Sequence, residues 1–192
     1  MRRVTLLLAV MALALVVGSG VGLAAIEFGT ERGEFIEGSG RGDVLYGRGG
    51  HDSIAGRGGN DVGYGGRGGD ALHGGSFRFD EIFRDRGLVP DGDDTLFGEA
   101  GDDCVWGGTG DDILRGGRGD DFVGTYCLDF LFDAGNDAMY GGPGDDFIIA
   151  LEDRPGSGRE ERDIVHCGPG IDEVLYQRGV DVIRGCERKN RF

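Results

Sequence analysis

The chain has 192 residues, of which 42 are glycine, and its 35 Asp and Glu against 20 Lys and Arg give a formal net charge of −15. This balance argues against nucleic acid or an anionic membrane as a partner and favours cations or basic surfaces. Glycine and charge content alone would suit a disordered chain, so the order of the residues has to decide.

The first segment is organised as a secretory signal peptide. Two arginines precede an apolar run, Val4–Val17, and small residues follow, with Gly22 and Ala24 where a cleavage site requires them. We predict a signal peptide over residues 1–25, cut after Ala24 or Ala25. The alternative is an uncleaved membrane anchor, although the run is short for a spanning helix. The expected location is therefore extracellular, or the cell surface if the segment stays attached.

From Gly29 onward the chain repeats a nine-residue unit, as in GSGRGDVLY, GRGGNDVGY and GGTGDDILR. We number its places one to nine from the first glycine. The sixth place is acidic throughout: Glu34, Asp43, Asp52, Asp61, Asp70, Asp94, Asp103, Asp112, Asp121, Asp137, Asp146 and Asp172. The eighth place is apolar except at Gly63: Ile36, Leu45, Ile54, Leu72, Leu96, Val105, Leu114, Val123, Met139, Ile148 and Val174. Two columns kept in phase argue against disorder.

The unit predicts an all-β fold, a parallel β-roll or two-sheet solenoid. Six glycine-rich residues cannot be helix, and the last three suit a very short strand. If two units make one turn, residues eighteen apart lie on adjacent rungs, about 4.8 Å apart. The eighth place then fills a shared core and its neighbours point outward. Tyr46 and Tyr64 should therefore stack on the outer face.

The domain plan follows from where the repeat is kept and lost. The roll is predicted over residues 26–149, with insertions at about 76–90 and 125–134. The insertions are aromatic and could either pack on the roll or bind a partner. Residues 150–162 are polar and are predicted as a linker or loop. Residues 163–192 are predicted as a small, disulfide-stapled C-terminal cap.

Four cysteines lie in the part predicted to be exported: Cys104, Cys127, Cys167 and Cys186. An even count in an exported chain suggests two disulfides. Of three possible pairings, chain order favours Cys104–Cys127 and Cys167–Cys186. Zinc is the weaker alternative, because no CxxC pair is present.

The sixth-place acids raise a problem of charge. Stacking puts these residues side by side in four pairs: Asp43 with Asp61, Asp52 with Asp70, Asp94 with Asp112, and Asp103 with Asp121. Such carboxylates repel unless a hard cation lies between them. Calcium accepts six to eight oxygens, carbonyls included, whereas magnesium demands strict octahedral geometry. Fifth-place acids such as Asp111 and Asp120 could assist as ligands, although a solvated edge charge is the simpler interpretation.

The phrases GGTGDDILR, GGRGDDFVG and GGPGDDFII resemble the RTX (haemolysin-type) calcium-binding nonapeptide repeat. The resemblance covers residues 29–149, with an echo at CGPGIDEVL. It implies a parallel β-roll in which sixth-place aspartates and turn carbonyls bind calcium. The ligands carried over are Asp43, Asp52, Asp61, Asp70, Asp94, Asp103, Asp112, Asp121, Asp137 and Asp146. The spacing of eighteen identifies no partner for Asp137 or Asp172.

No HExxH or GxSxG motif is present, so we predict no catalytic residues and no enzyme. The predicted function is an exported calcium-binding β-roll that folds when calcium binds between stacked turns. The alternative is a cell-surface or matrix adhesion scaffold that uses the aromatic insertions to bind a partner. Calcium ions are the expected cofactor, and the expected assembly state is a monomer.

Overall fold

The computed structural model describes residues 24–75, 92–124, 135–151, 162–177 and 180–191. They form sixteen short strands: β1 (Ile26–Phe28), β2 (Phe35–Glu37), β3 (Val44–Gly49), β4 (Ser53–Ala55), β5 (Val62–Arg67), β6 (Ala71–His73), β7 (Thr95–Ala100), β8 (Cys104–Trp106), β9 (Ile113–Arg118), β10 (Phe122–Val123), β11 (Ala138–Tyr140), β12 (Phe147–Ala150), β13 (Ile164–His166), β14 (Glu173–Tyr176), β15 (Val182–Arg184) and β16 (Arg188–Arg191). Over the described ranges, the chain has no helix long and apolar enough to cross a membrane.

The strands form two parallel sheets of eight. The odd-numbered strands make one sheet and the even-numbered strands the other, each in chain order. In the odd sheet Val44 of β3 lies opposite Val62 of β5, eighteen residues later. The chain therefore alternates between the sheets, and one full turn takes two units. The predicted parallel β-roll is confirmed.

The core lies between the two sheets, and each sheet contributes one column of side chains to it. All eleven apolar residues of the eighth column are buried, as predicted, and Val165 adds a twelfth. At Gly63 the neighbouring side chains fill the place, since a Cβ added there would lie 3.0 Å from Leu96 and 3.6 Å from Leu72. Because each strand contributes so few side chains to this thin core, strands of two to six residues are long enough to complete it.

The outer face of the odd sheet carries a stack of rings. Tyr46 and Tyr64 stack with centroids 4.9 Å apart and an interplanar angle of 3°, which confirms the sequence prediction. Phe28 and Phe97 extend the stack at its two ends, at 5.0 and 5.1 Å. These parallel ring pairs hold adjacent strands in register.

The register of the roll is kept on both sides of the predicted insertions. The insertions at 76–90 and 125–134 lie outside the described residues, and so does most of 150–162. Each falls in the sequence between an even strand and the next odd strand, and β7 still pairs in register with β5. Any partner site on the insertions therefore stays a prediction, as does the signal peptide, since residues 1–23 are not described.

The C-terminal segment continues the roll. Strands β13 to β16 add two strands to each sheet, so residues 163–191 form its last turns. Cys167 and Cys186 form a disulfide there. Cys104 is also disulfide-bonded, and Cys127, its predicted partner, lies outside the described residues.

Candidate metal centre

Glycine shapes the turns at the two edges of the roll. Gly117 and Gly119, in the second and fourth places of one unit, have φ angles of 129° and 130°, which side chains disfavour. The first place leaves no room for a Cβ: at Gly98, one would lie 2.5 Å from the carbonyl oxygen of Gly116 and would also collide with the Asp103 carboxylate. The turns thus bring backbone carbonyls close to the sixth-place carboxylates.

The sixth-place aspartates are buried and form two ladders. We call the turns that lead into odd strands edge one and those that lead into even strands edge two. Edge one carries Asp43, Asp61, Asp94, Asp112, Asp137, Asp163 and Asp181; edge two carries Asp52, Asp70, Asp103, Asp121, Asp146 and Asp172, between Glu34 and Glu187. All ten predicted ligands lie on these ladders and are at most 2 % exposed.

One oxygen of each aspartate has a structural role. The backbone N–H of Asp103 donates to Oδ1 of Asp121 at 2.9 Å, and Asp43 donates to Asp61 in the same way at 2.7 Å. Side chains predicted to be neighbours are therefore joined through one N–H group. The same bond crosses the insertions, from Asp61 to Asp94 at 2.7 Å.

The other oxygen on edge two has no such role. Oδ2 is buried and without a hydrogen-bond partner in Asp52, Asp70, Asp103, Asp121, Asp146 and Asp172. A buried polar atom without a partner is costly, and a buried charge without one is more costly still. A row of six such oxygens on one edge therefore marks a site for a ligand that is absent from the polypeptide itself.

Burial also changes how these carboxyls titrate. Loss of solvent raises the pKa of Asp103 and Asp121 to about 7, and that of Asp146 to about 6, against the hydrogen bonds that oppose it. On edge one, burial and then the Asp112 charge raise the pKa of Asp137 strongly. Without a cation nearby, the fold thus disfavours the ionised ladders.

The donor set fits calcium. At Gly98 the Asp103 Oδ2 and the Gly116 carbonyl both face the same small space, and carboxylate and carbonyl oxygens are what this hard cation prefers. Among the described residues no three carboxylate, imidazole or thiol groups converge on one point. An ion on either edge would therefore take one or two carboxylates and complete its shell with backbone carbonyls.

The fifth place forms a second, exposed ladder that sequence reasoning missed. The N–H of Asp111 donates to Oδ1 of Asp93, and that of Asp120 to Oδ1 of Asp102, both at 3.0 Å. In these fifth-place bonds the later turn donates the N–H, whereas in the sixth-place bonds the earlier turn donates it. Fifth-place acids are thus hydrogen-bond acceptors between turns, a role beyond the solvated charge favoured from sequence.

The structure also adds residues to the ladders. Asp137 donates its N–H to Oδ1 of Asp163 at 2.9 Å, and Asp172 donates to Oε2 of Glu187 at 3.0 Å. Both Asp137 and Asp172 therefore have neighbours, at spacings that the eighteen-residue rule could not give. The sequence does carry a weak signal for Asp163 and Asp181, because each precedes an apolar pair as at the end of a repeat unit. No glycine-rich turn precedes them, however.

Two ladders of buried aspartates along glycine turns, on a two-sheet parallel roll, define a β-roll of the calcium-binding class. A family model, the RTX calcium-binding nonapeptide repeat, matches residues 28–63, 91–123 and 133–153 in four copies. The repeats of this chain belong to that family, whose members bind calcium ions. Comparison with curated proteins and with solved structures finds no match.

Proposed function

We propose that this protein is an exported calcium-binding β-roll whose folding is driven by calcium held between successive sixth-place carboxylates. The observation that carries the proposal is the row of buried Oδ2 atoms without partners on edge two. The ligands proposed are the aspartates named from the sequence: Asp43, Asp52, Asp61, Asp70, Asp94, Asp103, Asp112, Asp121, Asp137 and Asp146.

Calcium binding is coupled to folding because the apolar core alone does not offset carboxylate repulsion, carboxylate burial and backbone entropy. Without an ion, stacked carboxylates repel and their burial is unfavourable, while the one-residue-wide core gives little to offset backbone entropy. With calcium, the energy of binding becomes energy of folding. Extracellular calcium modules bind at roughly 10⁻⁴–10⁻³ M. A chain of this kind stays unfolded where calcium is scarce and folds where calcium is abundant.

Export is supported by the N-terminal sequence. An arginine pair, an apolar run and small residues at Gly22 and Ala24 form a signal-peptide pattern. Strand β1 begins at Ile26, directly after the predicted cut. The mass of the protein recovered from the medium should place its N-terminus at Ala25 or Ile26, whereas an intact N-terminus would show an anchor.

Two adjacent aspartates allow a matched test of the ligand assignment. Asp121→Asn keeps an oxygen for the N–H of Asp103 but replaces the orphaned Oδ2 with an NH2 group and removes the charge. Asp120→Asn makes the same chemical change at the exposed fifth place. In calcium titrations by calorimetry we expect Asp121→Asn to weaken binding at least about tenfold, a loss of about 1.4 kcal/mol. Asp120→Asn should stay within about twofold of the parent.

Equal losses in the two variants would mean that calcium responds to total acidic charge rather than to the buried ladder. No loss in either would remove Asp121 from the ligand set. Circular dichroism of each variant at saturating calcium controls for folding.

A further inference from the structure

The last glycine turn of edge two lacks the glycine that begins the earlier turns. Its sequence is CGPGID, and Cys167 stands in the first place, where the preceding edge-two units have Gly47, Gly65, Gly98, Gly116 and Gly141. Cys167 is fully buried and Cys186, its disulfide partner, is 8 % exposed. This turn lies beyond residue 153, where the family match ends.

A Cβ is tolerated here because the next turn is short. In the earlier units it would collide with the carbonyl of the following turn, as at Gly98 with Gly116, 2.5 Å away. After Cys167 the next edge-two turn is three residues shorter, since Glu187 follows Ile183 of β15 by four residues, whereas Asp103 follows Leu96 of β7 by seven. The disulfide to Cys186 thus stands where the next turn would come, and it ties Cys167 to the end of the roll.

Two oxygens face one point beside this turn, and the next carboxylate of the ladder is that of Asp172. The carbonyl of Cys167 would lie 2.6 Å from a Cβ on Gly141, and Oδ2 of Asp146 faces the same point. Asp172 is 0 % exposed and its Oδ2 has no hydrogen-bond partner. Its Oδ1 accepts the N–H of Asp146 at 3.0 Å, the bond seen on every earlier rung.

The Cys167 carbonyl is able to take a cation as well. It accepts one hydrogen bond, from the N–H of Gly142 at 2.7 Å, and a carbonyl has a second lone pair. The arrangement therefore repeats the donor set of the upstream turns, with a cysteine carbonyl in place of a glycine carbonyl.

We propose that calcium also binds between Asp146 and Asp172, with the Cys167 carbonyl as a ligand, and that the Cys167–Cys186 disulfide holds this carbonyl in position. The proposal rests on calcium binding by the upstream turns and adds a ligand, Asp172, outside the matched repeats. It makes calcium and the disulfide mutually stabilising at this end of the roll. If the disulfide strengthens binding of this ion by some factor, the ion strengthens the disulfide by the same factor.

The test measures the disulfide instead of the ion. The exported chain is treated with a dithiol reductant, which is oxidised to its cyclic disulfide as Cys167 and Cys186 become thiols. Thiol trapping and mass spectrometry follow that pair with and without saturating calcium. At equilibrium with the reductant, we expect calcium to raise the ratio of disulfide to dithiol for this pair at least about fivefold, the lower end of usual coupling. The disulfide of Cys104 gives an internal reference in the same samples.

Two variants locate the effect. Asp172→Asn keeps the acceptor for the Asp146 N–H and should abolish most of the calcium protection of Cys167–Cys186. Asp52→Asn removes a carboxylate at the opposite end of the same ladder, so the protection should remain. Calorimetry on the chain with Cys167→Ser and Cys186→Ser should show one site weakened and the others retained.

Equal protection in Asp172→Asn and Asp52→Asn would overturn the inference, because protection would then come from folding as a whole. Unchanged calcium binding in the double serine variant would overturn it too. Both results leave upstream calcium binding intact, so they are distinguishable from failure of the proposed function, in which the parent chain itself would bind no calcium.

Discussion

Each edge-two aspartate in the sixth place has one carboxylate oxygen in a hydrogen bond between turns, and we propose that the other binds calcium. In Asp103, Oδ1 accepts the N–H of Asp70 at 2.7 Å, while Oδ2 is buried without a partner. A glutamate would place its oxygens one methylene further out, and an asparagine would keep the first function but lose the charge. The residue type is therefore set by both requirements, which explains why Asp fills nearly the whole column.

The second place of the unit requires a positive φ angle, which suits glycine. Three units have another residue there: Arg48, Arg57 and Glu99. Glu99 has φ of 79°, although its neighbours in register, Gly66 and Gly117, are glycine. A left-handed conformation costs a side chain about 1–2 kcal/mol, against about 0.5–1 kcal/mol for the entropy of a glycine. We expect Glu99→Gly to raise the Tm of the calcium-loaded protein by about 2–4 °C.

The neighbouring Ala100 provides the control, since its φ is not positive. Ala100→Gly adds chain entropy without relieving strain, so its Tm should fall. A fall in both variants would mean that the Glu99 side chain contributes more than its backbone conformation costs.

Within each strand, side chains alternate between the core and the outer face, and this alternation decides which residues stabilise the roll. The sequence predicted the core column and the rung spacing from the periods of nine and eighteen, because side-chain direction alternates strictly along a strand. It did not predict that Asp61 joins Asp94 across an insertion. That contact depends on the turn absorbing extra residues without shifting β7 against β5, and no local pattern encodes it. Asp163 was missed because it keeps the apolar pair of the unit but is not preceded by a glycine-rich turn.

Strand β9 offers a direct comparison of its two faces. Leu114 is fully buried and Ile113, beside it, is 40 % exposed. Leu114→Ala should lower the free energy of unfolding in calcium by about 2–5 kcal/mol. Ile113→Ala should lower it by less than about 1 kcal/mol, the range of strand propensity. Denaturant unfolding measures both, and similar losses would contradict the predicted facing of β9.

At the scale of the molecule, the roll is a single stack whose two edges carry charge and whose middle carries the core. In the described part of the chain each strand pairs with its neighbours in the stack, so stability is approximately a sum of adjacent contacts. The described edge-two turns follow one another without a gap from Glu34 to Glu187, whereas three stretches that precede edge-one aspartates in the sequence lie outside the described residues. The two edges therefore share one turn geometry, and the additional residues of the chain come, in sequence, just before aspartates of edge one.

Protonation should partly replace calcium across the whole ladder. Burial raises the pKa of Asp103 and Asp121 to about 7 and that of Asp146 to about 6, above about 3.9 for an unfolded aspartate. Between about pH 4 and pH 7 the folded chain therefore binds more protons than the unfolded chain, and its stability rises as pH falls. In calcium-free buffer, strand content by circular dichroism should increase from pH 7.5 to pH 5. A decrease over that range would contradict the burial of ionisable ladders.

We propose that calcium between the buried carboxylates makes this chain fold. The most direct measurement is far-ultraviolet circular dichroism of the chain without residues 1–25, the predicted signal peptide, first with chelator at pH 7.5 and then during titration with calcium. We expect little strand signal with chelator and a cooperative rise in strand content as calcium is added, with no comparable rise for magnesium. A strand spectrum that is already complete with chelator, and does not change with calcium, would contradict it.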